Sequence, residues 1–175
     1  MGVKLNSELA AFFNTGDQPS EAEFGHLIDS MLPVPVVLPA ETTALTSKAT
    51  YQGRVLVVPE VASNANYTLP QPAAGGEWYK FIFGVNAASD AQDHEFTSTT
   101  ALLRGTIMWN NTTANDNSDD SSDLAFNTSV HADNSNDLKI TLNTPEAYEI
   151  NFLSLSSTVW YVSGWCASAN VLVIS

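Results

Sequence analysis

The feature that most constrains the fold is a series of short apolar segments, separated by turn residues, that begins after residue 40. Segments such as "GRVLVVPE", "EWYKFIFGV", "YEINFLSLS" and "TVWYVSGWCA" are rich in β-branched and aromatic residues. They suggest roughly eight or nine strands at intervals of about 8–12 residues, which is typical of a sandwich or jelly roll. Because no helical pattern of useful length separates them, parallel βαβ units are not expected. We therefore predict a mainly β chain whose residues 41–175 form an antiparallel β-sandwich or jelly-roll-like domain.

The first 32 residues have a helical pattern instead. A first short segment, "NSELAAFF", is followed by Gly16, a good C-terminal residue for a helix, and a second begins with a capping box of Ser20 and Glu23. Two short helices are marginal alone, so this predicted helical hairpin must bury its apolar side against the following domain or another subunit. The apolar side chains in question are Phe12, Phe13, Phe24, Leu27, Ile28, Met31 and Leu32.

A proline-rich strap, "PVPVVLPA", links the two parts. Pro33, Pro35 and Pro39 make it extended and prevent it from pairing as a central strand. Its apolar residues should lie on a surface, such as that of a neighbouring subunit; they are Val34, Val36, Val37 and Leu38. We place the domain boundary near Ala40 and expect residues 1–40 to serve attachment or oligomerisation.

The charge excludes two classes of partner. Nineteen acidic residues against six basic ones give a formal net charge of −13, which repels the phosphates of nucleic acids and anionic lipids. No apolar run approaches 18 residues, and the N-terminus lacks both a secretory apolar region and a myristoylation signal. We therefore expect synthesis in a cytoplasm and neither a nucleic-acid nor a membrane partner.

The residues that usually carry chemistry are sparse. Cys166 is the single cysteine, so an intrachain disulfide is excluded, and its apolar strand context favours a buried hydrophobic residue over a nucleophile. His26, His94 and His131 lack the spacing of a metal site. No P-loop, G-x-S-x-G or G-x-G-x-x-G is present. The sequence predicts no enzymatic activity, no cofactor and no metal.

One acidic stretch could still bind a hard cation. "NDNSDDSSD", residues 115–123, supplies the oxygen ligands of Asp116, Asp119, Asp120 and Asp123. It lacks the glycine and the bidentate glutamate of an EF-hand, which favours a solvated loop and leaves an opportunistic Ca²⁺ contact as the alternative.

The aromatic residues of the strands have two interpretations. They are Trp78, Tyr79, Trp109, Trp160, Tyr161 and Trp165. Strand aromatics at this spacing are most often core residues or cross-strand pairs, and a sugar-binding face is the alternative.

The N-terminal segment resembles one found on a number of bacteriophage structural proteins, in which "FF-x-TGD-x-P-[ST]-x-x-x-F-x-x-LIDS" recurs. The matching residues are Phe12, Phe13, Thr15, Gly16, Asp17, Pro19, Ser20, Phe24, Leu27, Ile28, Asp29 and Ser30. Farther along, "NYTLPQPAAGGEWYKFIF" and "TVWYVSGW" are similar to strand-and-turn patterns of phage decoration and fibre modules. The resemblance implies a non-enzymatic, oligomeric virion component, commonly a trimer.

Three functions follow as expectations. The first is a capsid decoration (cement) protein that binds the major capsid protein on the outer surface of the virion and adds buried area between capsomers. The second is a tail or fibre component, with a receptor- or glycan-binding role. The third is an enzyme acting on polysaccharide, which would need two facing carboxylates in a cleft.

Substituting Phe24→Asp tests the role given to the hairpin. If the hairpin is an attachment element, we expect the β domain to stay folded by circular dichroism while assembly is weakened in size exclusion with light scattering, because a charge on the apolar stripe opposes burial against a partner. Unfolding of the whole chain would instead show that the hairpin belongs to the core.

Overall fold

The computed structural model describes residues 20, 35–41, 43–46, 48–84, 91–112, 127–133 and 137–175. The predicted helical hairpin and the aspartate-rich stretch at 115–123 lie outside these residues, so both stay predictions. Within the described part, strands dominate, which confirms that the chain is mainly β.

Twelve strands and a single-turn helix make up the described elements. The strands are β1 (Val36–Val37), β2 (Thr43–Ala44), β3 (Val55–Val57), β4 (Ala65–Leu69), β5 (Trp78–Gly84), β6 (His94–Ser98), β7 (Leu102–Asn111), β8 (Asn127–Asp133), β9 (Lys139–Leu142), β10 (Pro145–Ser156), β11 (Val159–Ser168) and β12 (Val173–Ile174). The helix, α1, spans Lys48–Tyr51.

The strands form two mixed sheets. The seven-stranded sheet has the order β1-β3-β5-β10-β11-β7-β8, and the five-stranded sheet has the order β12-β9-β6-β4-β2. The expectation of a purely antiparallel domain is wrong, because β1–β3, β3–β5, β2–β4, β4–β6 and β11–β7 pair in parallel.

The path of the chain explains four of these five parallel pairs, all except β11–β7. From β1 to β6 successive strands alternate between the sheets, odd strands in the larger and even strands in the smaller. Two neighbours in one sheet are therefore separated by a strand of the other sheet, which returns the chain to the same end. Sequence reasoning looked for a helix in this crossover role, whereas here an opposing strand fills it.

Aromatic side chains from both sheets meet in a shared core. On β5 the residues alternate in burial, so that Tyr79, Phe81 and Phe83 are buried. The ring of Phe81 lies 4.7 Å from that of Phe96 on β6 in the five-stranded sheet, and Phe96 lies 5.7 Å from Phe152 on β10. Each such buried side chain contributes about 2–3 kcal/mol, so these contacts help to hold the two sheets together.

The end of the proline strap is part of the seven-stranded sheet. Val36 and Val37 pair with β3 at the sheet edge, as expected for a proline-flanked strand. The prediction that the strap's apolar residues lie on a surface is wrong for Leu38, whose backbone N–H donates to the carbonyl of Val57 and whose side chain is buried. Val37 is 68% exposed, in accord with that prediction.

Glycine at position 105 is required by close backbone packing between β7 and β11. Its φ is +141°, and a Cβ there would stand 1.9 Å from the carbonyl oxygen of Val162. We expect Gly105→Ala to lower the free energy of unfolding by roughly 2–4 kcal/mol, since both the dihedral and the contact would be strained. Denaturant unfolding measures the loss.

The matched control is Gly84→Ala, because no atom lies within 4 Å of a Cβ at that position. Its stability should stay within about 0.5 kcal/mol of the wild-type value. Equal stabilities for the two variants would contradict the parallel β7–β11 pairing.

Candidate functional site

The most distinctive surface is the side of the seven-stranded sheet that faces away from the five-stranded sheet, called here the outer face. Side chains alternate along each strand, so every second residue points to this side. Five large side chains on it are between 38% and 44% accessible: Trp78, Met108, Leu153, Tyr161 and Trp165. These half-exposed residues come from β5, β7, β10 and β11, the central part of the sheet.

Strand register gathers these side chains into rows across the sheet. The first row runs from Trp78 through Leu153 and Tyr161 to Arg104. Adjacent strands are about 4.8 Å apart, so neighbouring side chains in a row touch or nearly touch. The row is therefore a continuous strip of apolar side chains that leads to Arg104, whose register partner on the edge strand β8 is Asp133.

The end of this row is held in place by a turn. The backbone N–H of Gly53 donates to the carbonyl of Trp78 at 2.8 Å. The indole of Trp78 passes beside Gly53, where a Cβ would stand 3.9 Å from the ring. The ring therefore packs against backbone on one side while the other side meets solvent.

A second apolar row lies four residues farther along the strands. It runs Val37, Val57, Ile82, Glu149, Trp165 and Met108. Val37 is the one described residue of the predicted partner interface that is strongly exposed, and the register places it in this row. The surface expected of the strap thus continues into the outer face.

A polar row separates the two apolar ones. It contains Lys80, Asn151, Ser163, Thr106 and His131. Lys80 Nζ lies 2.9 Å from Glu149 Oε1, and this hydrogen bond lowers the pKa of the Glu149 carboxyl. Thr106 Oγ1 and His131 Nδ1 are 2.9 Å apart. These contacts pair polar groups within the face.

The other predicted interface residues have varied outcomes. Val36 is half-buried against the core and Leu38 is buried. The rest lie outside the described residues, and their role stays a prediction: Phe12, Phe13, Phe24, Leu27, Ile28, Met31, Leu32 and Val34.

The strand aromatics divide between core and surface. Tyr79 and Trp160 are buried with ring centroids 5.7 Å apart, which confirms the core interpretation for this pair. That interpretation is wrong for Trp78, Tyr161 and Trp165, which are exposed. The signal was available in the sequence, because adjacent aromatics such as Trp78 and Tyr79 must point to opposite sides of a strand.

Sequence reasoning missed a buried polar contact between the sheets. His94 on β6 is fully buried, and its Nδ1 lies 2.9 Å from the hydroxyl of Tyr148 on β10. The His94 ring also packs edge-on against Phe83 at 4.6 Å. Alternation in "HEFTS" places His94 on the same side as Phe96, which would have predicted its burial. This histidine joins the two sheets and does not face solvent.

Metal-binding clusters and membrane-spanning helices are both absent from the described part of the chain. There, no group of three or more histidine, cysteine, aspartate or glutamate residues is placed to hold a metal ion. No helix among the same residues has the length and apolar character needed to cross a membrane. The aspartates of the predicted cation loop, Asp116, Asp119, Asp120 and Asp123, are outside the described residues.

Cys166 is fully buried on β11, which confirms the prediction of a buried strand residue. Burial raises the pKa of its thiol to about 12, although a hydrogen bond with Ser168 acts in the opposite direction. Since the thiolate is the reactive form, the native thiol should be inert. We expect no reaction of the native chain with a disulfide reagent at pH 8, and one thiol per chain after unfolding in guanidinium.

The raised pKa of the Cys166 thiol also predicts that the stability of the chain depends on pH. The thiol ionises at lower pH in the unfolded chain, so its contribution to the free energy of unfolding is present below about pH 9 and is lost as the pH rises towards 12. The stability advantage of wild type over Cys166→Ala in urea should therefore narrow between pH 8 and pH 11. A constant difference would contradict the burial of this group.

Comparison with known proteins provides no functional information, so the function has to be inferred from the residues of this chain. No family model, no curated protein and no solved structure matches this chain.

Proposed function

We propose that this chain is a non-enzymatic structural protein of a bacteriophage virion, and specifically a capsid decoration protein. The observation that carries the proposal is the "FF-x-TGD-x-P" to "LIDS" motif over residues 12–30. In this proposal the N-terminal arm binds the major capsid protein or a sister chain on the outer shell. The protein acts as a homo-oligomer, which we expect to be a trimer.

The β domain would supply bulk and rigidity in this role. We propose that its two sheets form a β-sandwich, which is supported by ring contacts between them such as Phe81 with Phe96. A decoration protein needs no reactive group, since it strengthens a shell by adding buried area between capsomers. The net charge of −13 would keep neighbouring β domains soluble and apart when many copies are packed at high density.

A second candidate is a tail or fibre component that binds a receptor or glycan. The outer face favours it, because the exposed rings of Trp78, Tyr161 and Trp165 could stack on the apolar faces of sugar rings. The two candidates differ in copy number and location: decoration proteins cover the head in many copies, whereas fibre components are few and lie at a vertex or tail.

Thermal stability of the particle tests the first candidate. We expect particles stripped of this protein to release DNA at a lower temperature than intact ones, because contacts between capsomers are lost. Re-addition of the purified wild-type chain should restore the release temperature, whereas the Phe24→Asp variant should not.

Two results would contradict the proposal. One is equal heat tolerance of stripped and intact particles. The other is an electron-microscopy map that places the protein at the tail in few copies, which together with hits on a glycan array would favour the second candidate.

A further inference from the structure

We propose that the outer face of the seven-stranded sheet is a docking surface for a second copy of this chain. The proposal goes beyond attachment through the N-terminal arm, because the surface belongs to the β domain. It rests on the described residues of β1, β3, β5, β7, β10 and β11.

The composition of the outer face is that of a protein interface. Tryptophan, tyrosine, methionine and arginine are enriched at such interfaces, whereas lysine and glutamate are depleted. The exposed residues of the face include Trp78, Tyr161, Trp165, Met108 and Arg104. A contiguous apolar patch of this kind on a soluble chain usually marks an interaction site.

Electrostatics favours a copy of the same chain at this place. The chain carries a net charge of −13, so two copies repel each other over most orientations. On β5, β10, β11 and β7, however, the three rows contain just three charged residues, Lys80, Arg104 and Glu149. These four strands therefore carry no excess of negative charge in the three rows, so a contact between two copies there is opposed by less repulsion than a contact between acidic surfaces.

The arrangement of the rows suits a symmetric contact. A two-fold interface, which would join chains in pairs in addition to the trimer expected of the N-terminal arm, brings the same patch of both subunits together and must therefore be self-complementary. The outer face carries apolar rows on both sides of a polar row, and it has groups of both charges, such as Arg104 and Glu149. Apolar strips can meet apolar strips while charges of opposite sign face each other.

The size of the face is adequate. The four central strands, about 4.8 Å apart, and the three rows, about 6.6 Å apart, give a flat footprint of roughly 20 by 20 Å, and Val37 and Val57 extend the second apolar row beyond it. With the relief of the side chains, this is of the same order as the ~800 Å² per partner of a standard interface.

Several side chains of the face have contacts within the single chain, which limits the entropy that these side chains lose on binding. Trp78 packs beside Gly53, and Lys80 is paired with Glu149. Asn151 Nδ2 donates to the carbonyl of Ser163 at 3.5 Å. A rigid surface of this kind needs little rearrangement to accept its own copy.

The test uses the full-length chain with the double substitution Leu153→Glu and Tyr161→Glu. Both residues are 40% exposed and lie side by side in the first row. Light scattering and sedimentation equilibrium should show wild type above the single-chain mass of 18.8 kDa. They should show a clear shift of the double variant towards that mass, with the circular dichroism spectrum unchanged.

A matched control places the same two charges elsewhere. Val171 and Val173 are each 47% exposed, and Val173 belongs to β12 of the five-stranded sheet. The double substitution Val171→Glu and Val173→Glu should keep the mass of wild type. Should the first double variant fail to fold, Trp165→Ser in the other apolar row provides an independent test and should also weaken association.

The dependence of self-association on salt concentration provides a further test. Raising the ionic strength should strengthen association of wild type, because it screens the repulsion between acidic chains while the apolar contact is kept. Association that weakens steadily with salt would overturn the proposal, since it would show that ion pairs outweigh the apolar contact and the net repulsion between acidic chains.

Three other outcomes would also overturn it. These are a wild-type chain that stays at 18.8 kDa at all concentrations, a face variant that keeps the oligomer, and an oligomer that is lost in Phe24→Asp alone. The last result would assign assembly to the arm. The particle experiment is separate: a chain that self-associates through the outer face without binding the shell would refute the virion role and leave this inference intact.

Discussion

The packing of aromatic rings between the two sheets is the interaction on which the rest of the structure depends. Phe81, Phe96 and Phe152 come from β5, β6 and β10, and their rings lie within 6 Å of one another. These contacts join strands far apart in the sequence and remove large apolar areas from water. The buried His94–Tyr148 contact adds a directional bond between the same two layers. Without these contacts, neither sheet would have a side that is shielded from water.

Burial of one side of the larger sheet has a direct consequence for the other side. The same alternation that points Tyr79 and Trp160 into the core points Trp78 and Tyr161 outwards. Close approach of β10, β11 and β7 depends on Gly105 and Gly164, because a Cβ at either glycine would lie within 2.0 Å of a carbonyl oxygen. The register set by these contacts aligns the exposed side chains into rows. The outer face is therefore a product of core packing and strand register together.

The two proposals use different parts of the chain. Residues 12–30 carry the resemblance to phage structural proteins and the expectation of an attachment arm. The outer face carries the expectation of self-association, and Val37 connects the two because it ends the strap and joins the second apolar row. A decoration protein that binds both a shell and its own copies would need two such surfaces, since one patch cannot serve both contacts at the same time.

Much of the architecture was predictable from local pattern. Short β-branched and aromatic segments indicated strands, the prolines around Val36 and Val37 excluded a central strand position, and the apolar neighbours of Cys166 indicated burial. These properties depend on a residue and its near neighbours, which the sequence contains in full. Adjacent aromatics also implied that one member of each pair would be exposed, although the sequence interpretation did not use this.

The sequence pattern did not show which distant segments pair with each other, or in which direction. The strand spacing was the same for antiparallel and mixed sheets, so the parallel pairs created by alternation between sheets could not be read from it. The placement of His94 beside Tyr148, and of Trp78, Leu153 and Tyr161 in one row, depends on register across strands up to 83 positions apart in the chain, from Trp78 to Tyr161. By itself the sequence determined which segments are strands and which residues are apolar. Only the tertiary structure decided which exposed side chains stand together, because burial of the aromatic core selects one register among many that local pattern allows.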